Sequence, residues 1–233
     1  MEKPTALMIH GAGGGGWEYH YWQQPFKDAG FEVIAPDLLP TENDYAKTTF
    51  PDYLSQIRTH AKNKKPLILI GASMGGILAL KSSETLNPDL IILINSVPPK
   101  GVGPARESKE HPPIIEWENG PIEDTRASLP DGDEVTIAWA HPQWRNESGA
   151  VLNAIRLGIE VKKPTCPVLV VIGEDDTDIP AETSRAIAKW ANADTFAYAK
   201  TSHIGPLMGH RRSEIASAVA AWCSSKILNI RSK

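Results

Sequence analysis

Pro66-Leu67-Ile68-Leu69-Ile70-Gly71-Ala72-Ser73-Met74-Gly75-Gly76-Ile77-Leu78-Ala79-Leu80 is the stretch that decides how this chain is read. An apolar run of strand length leads into Gly71-Ala72-Ser73-Met74-Gly75, and a helix-like stretch follows. The pentapeptide is G-x-S-x-G between strand and helix, the setting in which that pattern carries chemistry. A serine at the tip of so sharp a turn sits in strained backbone, and small residues two positions to either side let strand and helix approach without clashing. The hydroxyl then stands clear of the sheet. Beneath it lie helix N–H groups that have no partner inside the helix and that favour a developing negative charge. Ser73 is the candidate nucleophile.

Outward from this stretch, short apolar runs alternate with helical patterns. Strands are expected at residues 6–10, 32–35, 67–71, 90–95, 168–173 and 195–199, most of them rich in Ile, Leu and Val, as strands buried on both faces are. Helices are expected at 19–29, 52–63, 74–86, 181–191 and 212–226. In the last of these, Ile215, Ala218, Val219 and Trp222 fall at helical spacing and are expected to face the sheet. The alternation predicts an α/β fold, a parallel sheet with helices on both faces. Residues 96–163 break the rhythm: they open on Pro98-Pro99-Lys100-Gly101-Val102-Gly103-Pro104, contain Pro112-Pro113 and the turn Pro130-Asp131-Gly132-Asp133, and carry Trp117, Trp139 and Trp144. A gap this long is expected to be an insertion with its own helices. The expected division is therefore a core of residues 1–95 and 164–233 with a cap of residues 96–163.

Composition narrows the function. The 233 residues carry 24 Lys and Arg against 28 Asp and Glu, interspersed and giving a net charge of -4. No basic stripe marks a nucleic-acid partner. Cys166 and Cys223 are too few for a disulfide framework or a zinc site. They read as small hydrophobes in a reducing compartment. Met1-Glu2-Lys3-Pro4 runs straight into the first strand without a secretory leader, and no apolar run approaches membrane-spanning length. The expectation is a cytoplasmic protein with no membrane partner, either a monomer or a homodimer.

A hydroxyl nucleophile needs a base, and the base needs an orienting acid. Among seven histidines, His203 is best placed: Thr201-Ser202-His203-Ile204-Gly205-Pro206 follows the last expected strand and leads to the final helix. Loops at the carboxyl ends of parallel strands gather at one edge of the sheet, and Ser73 sits at such an end too. The acid is expected after strand 168–173, where Glu174-Asp175-Asp176-Thr177-Asp178 crowds several carboxylates into one loop. Asp178 and Glu182 suit a helix start, and Glu174 and Asp175 suit solvent. Spacing by itself does not choose among them.

With Gly71–Gly75, that loop and His203 in view, the chain resembles the α/β-hydrolase superfamily over essentially its whole length. In that family the acid stands three residues after the strand-ending glycine and four before a proline. From Gly173 and Pro180 this selects Asp176, and the order Ser73, Asp176, His203 is the family order. The family also implies an oxyanion hole of two backbone N–H groups. One is the residue after the nucleophile, Met74. The other comes from His10-Gly11-Ala12-Gly13-Gly14-Gly15-Gly16-Trp17, most simply Ala12, with Gly13 as second choice. His10 and Asp37 are assigned structural roles. A dinucleotide cradle is the competing reading of this loop, but G-x-G-x-x-G is met only because nearly every residue is glycine, and no Walker-type lysine is present.

The resemblance predicts six parallel core strands, in spatial order 2-1-3-4-5-6, and an inserted helical cap at 96–163. Gly13, Trp117, Trp139, Trp144 and Ile155 are candidates for the pocket wall, with His141 and Arg145 as weaker polar ones. The implied activity is hydrolysis of a small-molecule ester through an acyl-enzyme on Ser73, with no metal or other cofactor required. His10-Gly11-Ala12 with Trp17 is also similar to plant methylesterases and hydroxynitrile lyases. A lyase, a C–C bond hydrolase, a perhydrolase and a slow receptor-like hydrolase are thus the alternatives on the same three residues. A serine at position 73, rather than an aspartate, sets a dehalogenase aside.

Overall fold

The computed structural model describes residues 3–104 and 109–231. The outermost residues of the expected core and residues 105–108 of the expected cap lie outside the described residues. Six parallel strands form the sheet: β1 (Thr5–Ile9), β2 (Glu32–Ile34), β3 (Leu67–Ala72), β4 (Leu90–Ile94), β7 (Val168–Gly173) and β8 (Asp194–Tyr198). Their spatial order is β2-β1-β3-β4-β7-β8, the expected 2-1-3-4-5-6. A separate antiparallel ribbon pairs β5 (Ile114–Ile115) with β6 (Glu147–Ser148).

Period-two alternation splits the strand residues between two cores. Ala6, Met8, Ile68, Ile70, Ile92, Ile94, Leu169 and Val171 face α1 (His20–Asp28) and α9 (Arg212–Arg231). Leu7, Ile9, Leu69, Ile91, Leu93, Val170 and Ile172 face α2 (Phe50–His60), α3 (Met74–Leu86) and α7 (Ala181–Ala191). Trp22 and Phe26 of α1 stack at 6.0 Å between centroids and anchor the first layer. Tyr53 and Ile57 of α2, together with Ile77 and Leu80 of α3, fill the second. Each such side chain contributes about 1.5–3 kcal/mol on leaving water. The buried stripe of α9 differs from the expected one. It runs Ile215, Ala216, Val219, Ala220, Cys223 and Ile227, while Trp222 lies at its edge and donates from Nε1 to Asp194 at 2.8 Å. Half-burial at the rim gives the indole an apolar body and a wet tip.

The described residues of 96–163 form three short α-helices, α4 (Ile122–Ser128), α5 (Glu134–Ala140) and α6 (Gly149–Leu157), and a 3-10 turn at His141–Gln143, besides the ribbon. Asp133 caps α5 through Thr136 N, and Ser148 caps α6 through Val151 N. Such caps matter in helices of seven and nine residues, which have few internal hydrogen bonds of their own. One further helix, α8 (Gly205–Met208), lies between β8 and α9 and has no counterpart in the sequence reading.

Ile92 lies at the centre of the sheet and is fully buried. Ile92→Ala is expected to lower the free energy of unfolding by about 2–5 kcal/mol in denaturant titrations. A loss below about 1 kcal/mol would contradict this placement.

Candidate active site

All the parallel strands end at one edge, so the segments after β1, β3, β7 and β8 converge there. At the end of β3 the backbone of Ser73 is forced to φ 51° and ψ -118°. The cause is the close approach of α3 to the sheet. A Cβ on Gly71 would lie 2.1 Å from the Gly75 carbonyl oxygen, and one on Gly75 would lie 2.1 Å from the Ile9 carbonyl oxygen. The strained residue is pinned by three backbone hydrogen bonds. Ser73 N donates to Ile94 O at 3.0 Å, and Ser73 O accepts from Gly76 N at 3.0 Å and Val97 N at 3.1 Å. Such a conformation costs on the order of 1–3 kcal/mol and persists only where its surroundings over-determine it.

After β7, Asp176 Oδ1 accepts the amides of Asp178 and Ile179, both at 2.8 Å. Its other oxygen, Oδ2, lies 2.8 Å from His203 Nδ1. The aspartate side chain is fully buried, and that of His203 is 13% exposed. Burial pulls the imidazole pKa down, but the hydrogen bond and charge of Asp176, helped by Asp178 and Glu18, outweigh it and hold the pKa above its ordinary value. Asn95, buried at the end of β4, ties these loops together. Its Oδ1 accepts from Gly173 N at 2.8 Å, and its Nδ2 donates to the carbonyls of Ser202 and His203 at 3.1 and 2.7 Å. Asp131 adds a second tie, accepting the Ser202 hydroxyl and the Ser202 amide.

The glycine loop is held by side chains from several elements. His10 Nδ1 donates to Gly11 O at 2.7 Å while its Nε2 accepts from Leu38 N at 2.9 Å, which assigns a neutral ring. Burial holds the His10 pKa down at about 4. Gly11 N donates to Glu18 Oε2 at 3.0 Å, Gly13 N to Glu147 Oε2 at 3.0 Å and Gly14 N to Gly11 O at 3.4 Å. Asp37 Oδ1 accepts Gly16 N at 2.7 Å. In residues 11–14, only the Ala12 amide has no acceptor among the described residues. The same is true of the Met74 amide, at the first position of α3. Gly13, second choice as a donor, already has a carboxylate.

Ser73, His203, Ala12 and Gly11 line one cavity of about 300 Å³. Trp117 and Trp144 are on its wall, together with His141. Trp139 is not. It packs against Trp17, His20 and Tyr21, with centroids 5.0–6.1 Å away. Gly13 sits behind Trp117, where a Cβ would fall 2.4 Å from the indole, and Ile155 packs into the α2–α3 core. Arg145 braces the glycine loop from outside, donating to Gly14 O. Neither Glu18 nor Thr125, both lining residues, was singled out by the sequence reading. Thr125 belongs to a seven-residue helix whose pattern is too short to orient. Among the described residues no group of three or more His, Cys, Asp or Glu is placed to hold a metal, and no helix is long and apolar enough to cross a membrane.

Residues 6–218 match the model of the alpha/beta hydrolase family. The chain belongs to that family. Solved structures of alpha/beta hydrolases share its fold at low identity. Tomato methylketone synthase I with bound β-ketoheptanoate superposes with a TM-score of 0.75 at 14% identity, covering 97% of this chain and 100% of that one. An Arabidopsis methylesterase gives 0.74 at 15%, covering 94% and 99%. A pyrethroid hydrolase from Sphingobium faniae gives 0.75 at 19%, covering 94% and 96%. No curated protein sequence matches the chain.

The two histidines predict opposite titrations. Imidazole NMR should find His10 neutral, with Nδ1–H, down to about pH 4, and His203 titrating above 6.5. In Asp176→Asn the His203 midpoint should fall. His10 titrating near 6.5, or a His203 midpoint unmoved by Asp176→Asn, would contradict the hydrogen bonds described.

Proposed function

We propose that this alpha/beta hydrolase is a serine esterase of small carboxylic esters, with Ser73 as nucleophile, His203 as base and Asp176 as its orienting acid. The observation that carries this reading is the Asp176–His203 hydrogen bond of 2.8 Å in a loop that shares one cavity with the strained Ser73. Ser73 Oγ forms a bond to the ester carbonyl carbon while its proton passes to His203 Nε2. The negative charge on the carbonyl oxygen is taken up by the Ala12 and Met74 amides. On collapse the C–O bond to the alcohol breaks, and the departing oxygen takes the proton from His203. Water then attacks the acyl-enzyme with His203 again as base, releasing the acid and restoring the Ser73 hydroxyl. Asp176 accepts from Nδ1 and so leaves Nε2 as the nitrogen free to take the serine proton.

Two features support a small ester. The cavity of about 300 Å³ is at the lower end for small-molecule sites, and its wall is partly indole. The likeness in fold to a methylesterase supports an ester as the substrate. The lyase alternative requires a lysine beside the leaving group, and none is among the described residues that line the cavity.

p-Nitrophenyl esters of graded chain length test the reading. Turnover should favour short acyl chains, and Ser73→Ala should lose about 10³-fold or more in kcat while remaining folded. Wild-type turnover in Ser73→Ala would overturn it.

A further inference from the structure

Of the three carboxylates lining the cavity, Asp124 and Asp178 are exposed, whereas Glu18 is buried. Its place is unusual for a charged side chain: it fills the hollow of the glycine loop. A Cβ on Gly14 would fall 1.7 Å from Glu18 Oε1. A Cβ on Gly11 would lie 3.7 Å from both carboxyl oxygens and 3.4 Å from Ser73 Cβ. Glycine at 14 is thus the residue that leaves room for the carboxyl, and Gly11 lies in ordinary contact with it. In return Glu18 Oε2 accepts the Gly11 amide, on the residue next to Ala12. Nothing in the mechanism above uses this group.

We propose that Glu18 is a positioning residue of the reaction: its carboxyl shapes the loop that presents the Ala12 amide, and its charge state sets the electrostatics at Ser73 and His203. This rests on the serine-hydrolase reading of the same cavity. The groups that face Glu18 come from several elements. Tyr19 is its neighbour in sequence, His203 lies on the loop after β8, and Arg145 lies before β6. Asp176 and Asp178 act in turn on His203, His10 lies beside Arg145, and His141 and Asp124 line the cavity.

The consequence is a charge that changes near neutrality. Burial pushes the Glu18 pKa up to about 7, against the Gly11 amide and the positive charges of His203 and Arg145. A neutral carboxyl adds no negative charge beside the oxyanion loop, whereas an ionised one opposes a developing oxyanion and stabilises a protonated His203. Reactivity should therefore rise as His203 loses its proton and fall as Glu18 loses its own.

The test follows the pH dependence of Ser73 phosphonylation by a fluorophosphonate, read by peptide mass spectrometry from about pH 5 to 9, so that no natural substrate is needed. Wild type should show two ionisations. Glu18→Gln keeps the side-chain shape and an acceptor for Gly11 N; it should lose the alkaline fall and shift the acid limb to lower pH. Glu18→Ala should react about tenfold or more slowly at every pH. A purely structural role leaves the Gln profile superimposable on wild type, and that result overturns the proposal. Should Glu18→Gln fail to fold, a single ionisation in wild type overturns it equally. No labelling of Ser73 in wild type would overturn the serine-hydrolase reading itself. Labelling with an unchanged profile overturns the Glu18 proposal alone.

Discussion

The approach of α3 to the sheet is the constraint from which the rest of the site follows. Gly75 packs so near the Ile9 carbonyl, and Gly71 so near Gly75, that no side chain fits at either. Bringing helix and strand this close leaves Ser73 no room to turn except through positive φ. The strain is held by hydrogen bonds to Ile94 and Val97, at the end of the neighbouring strand. β4 therefore does two tasks at once. Its last carbonyl fixes the serine, and its next residue, Asn95, fixes the loops of Asp176 and His203. A displacement of β4 would move all three side chains together.

The glycine loop is governed by a different balance. Four side chains from outside it (Glu18, Asp37, Glu147 and Arg145) take up its polar groups. Glu147 is itself buried and also accepts from Tyr53 OH at 2.7 Å and from Ser148 N. A loop of glycines has high entropy when free, and hydrogen bonds with these side chains are the means of ordering it. The stretch 96–163 supplies two of these partners, Arg145 and Glu147, and through Asp131 also steadies the His203 loop. It serves the site from behind as well as walling the cavity with Trp117 and Trp144.

Much of this was legible in the sequence because its signals are local or periodic. Strands buried on both faces read as apolar runs, and the elbow pattern needs glycine at fixed offsets from Ser73. The candidate acid was not legible from spacing alone, since Asp175, Asp176 and Asp178 share one loop; the family pattern singled out Asp176. What failed depended on contacts far apart in the chain. Trp139 and Trp144 lie five residues apart and both pack edge-on against Trp17, yet only Trp144 also reaches the cavity. Trp222 took the expected helical spacing, but the true stripe of α9 is shifted toward Ala216 and Cys223. Glu18 carries no motif that the sequence reading uses. The signal that could have found it is a glutamate placed just after Trp17 and just before Tyr19 and Trp22, in a segment otherwise destined for the core.

The central claim is that Ser73 becomes covalently acylated. The most direct measurement is rapid quenching of the protein with p-nitrophenyl acetate, followed by peptide mapping. One acetyl group confined to the peptide that carries Ser73, appearing with the first burst of p-nitrophenol, is the predicted result. Turnover of the ester with no acylated peptide, or with acetyl on another residue, would contradict the account.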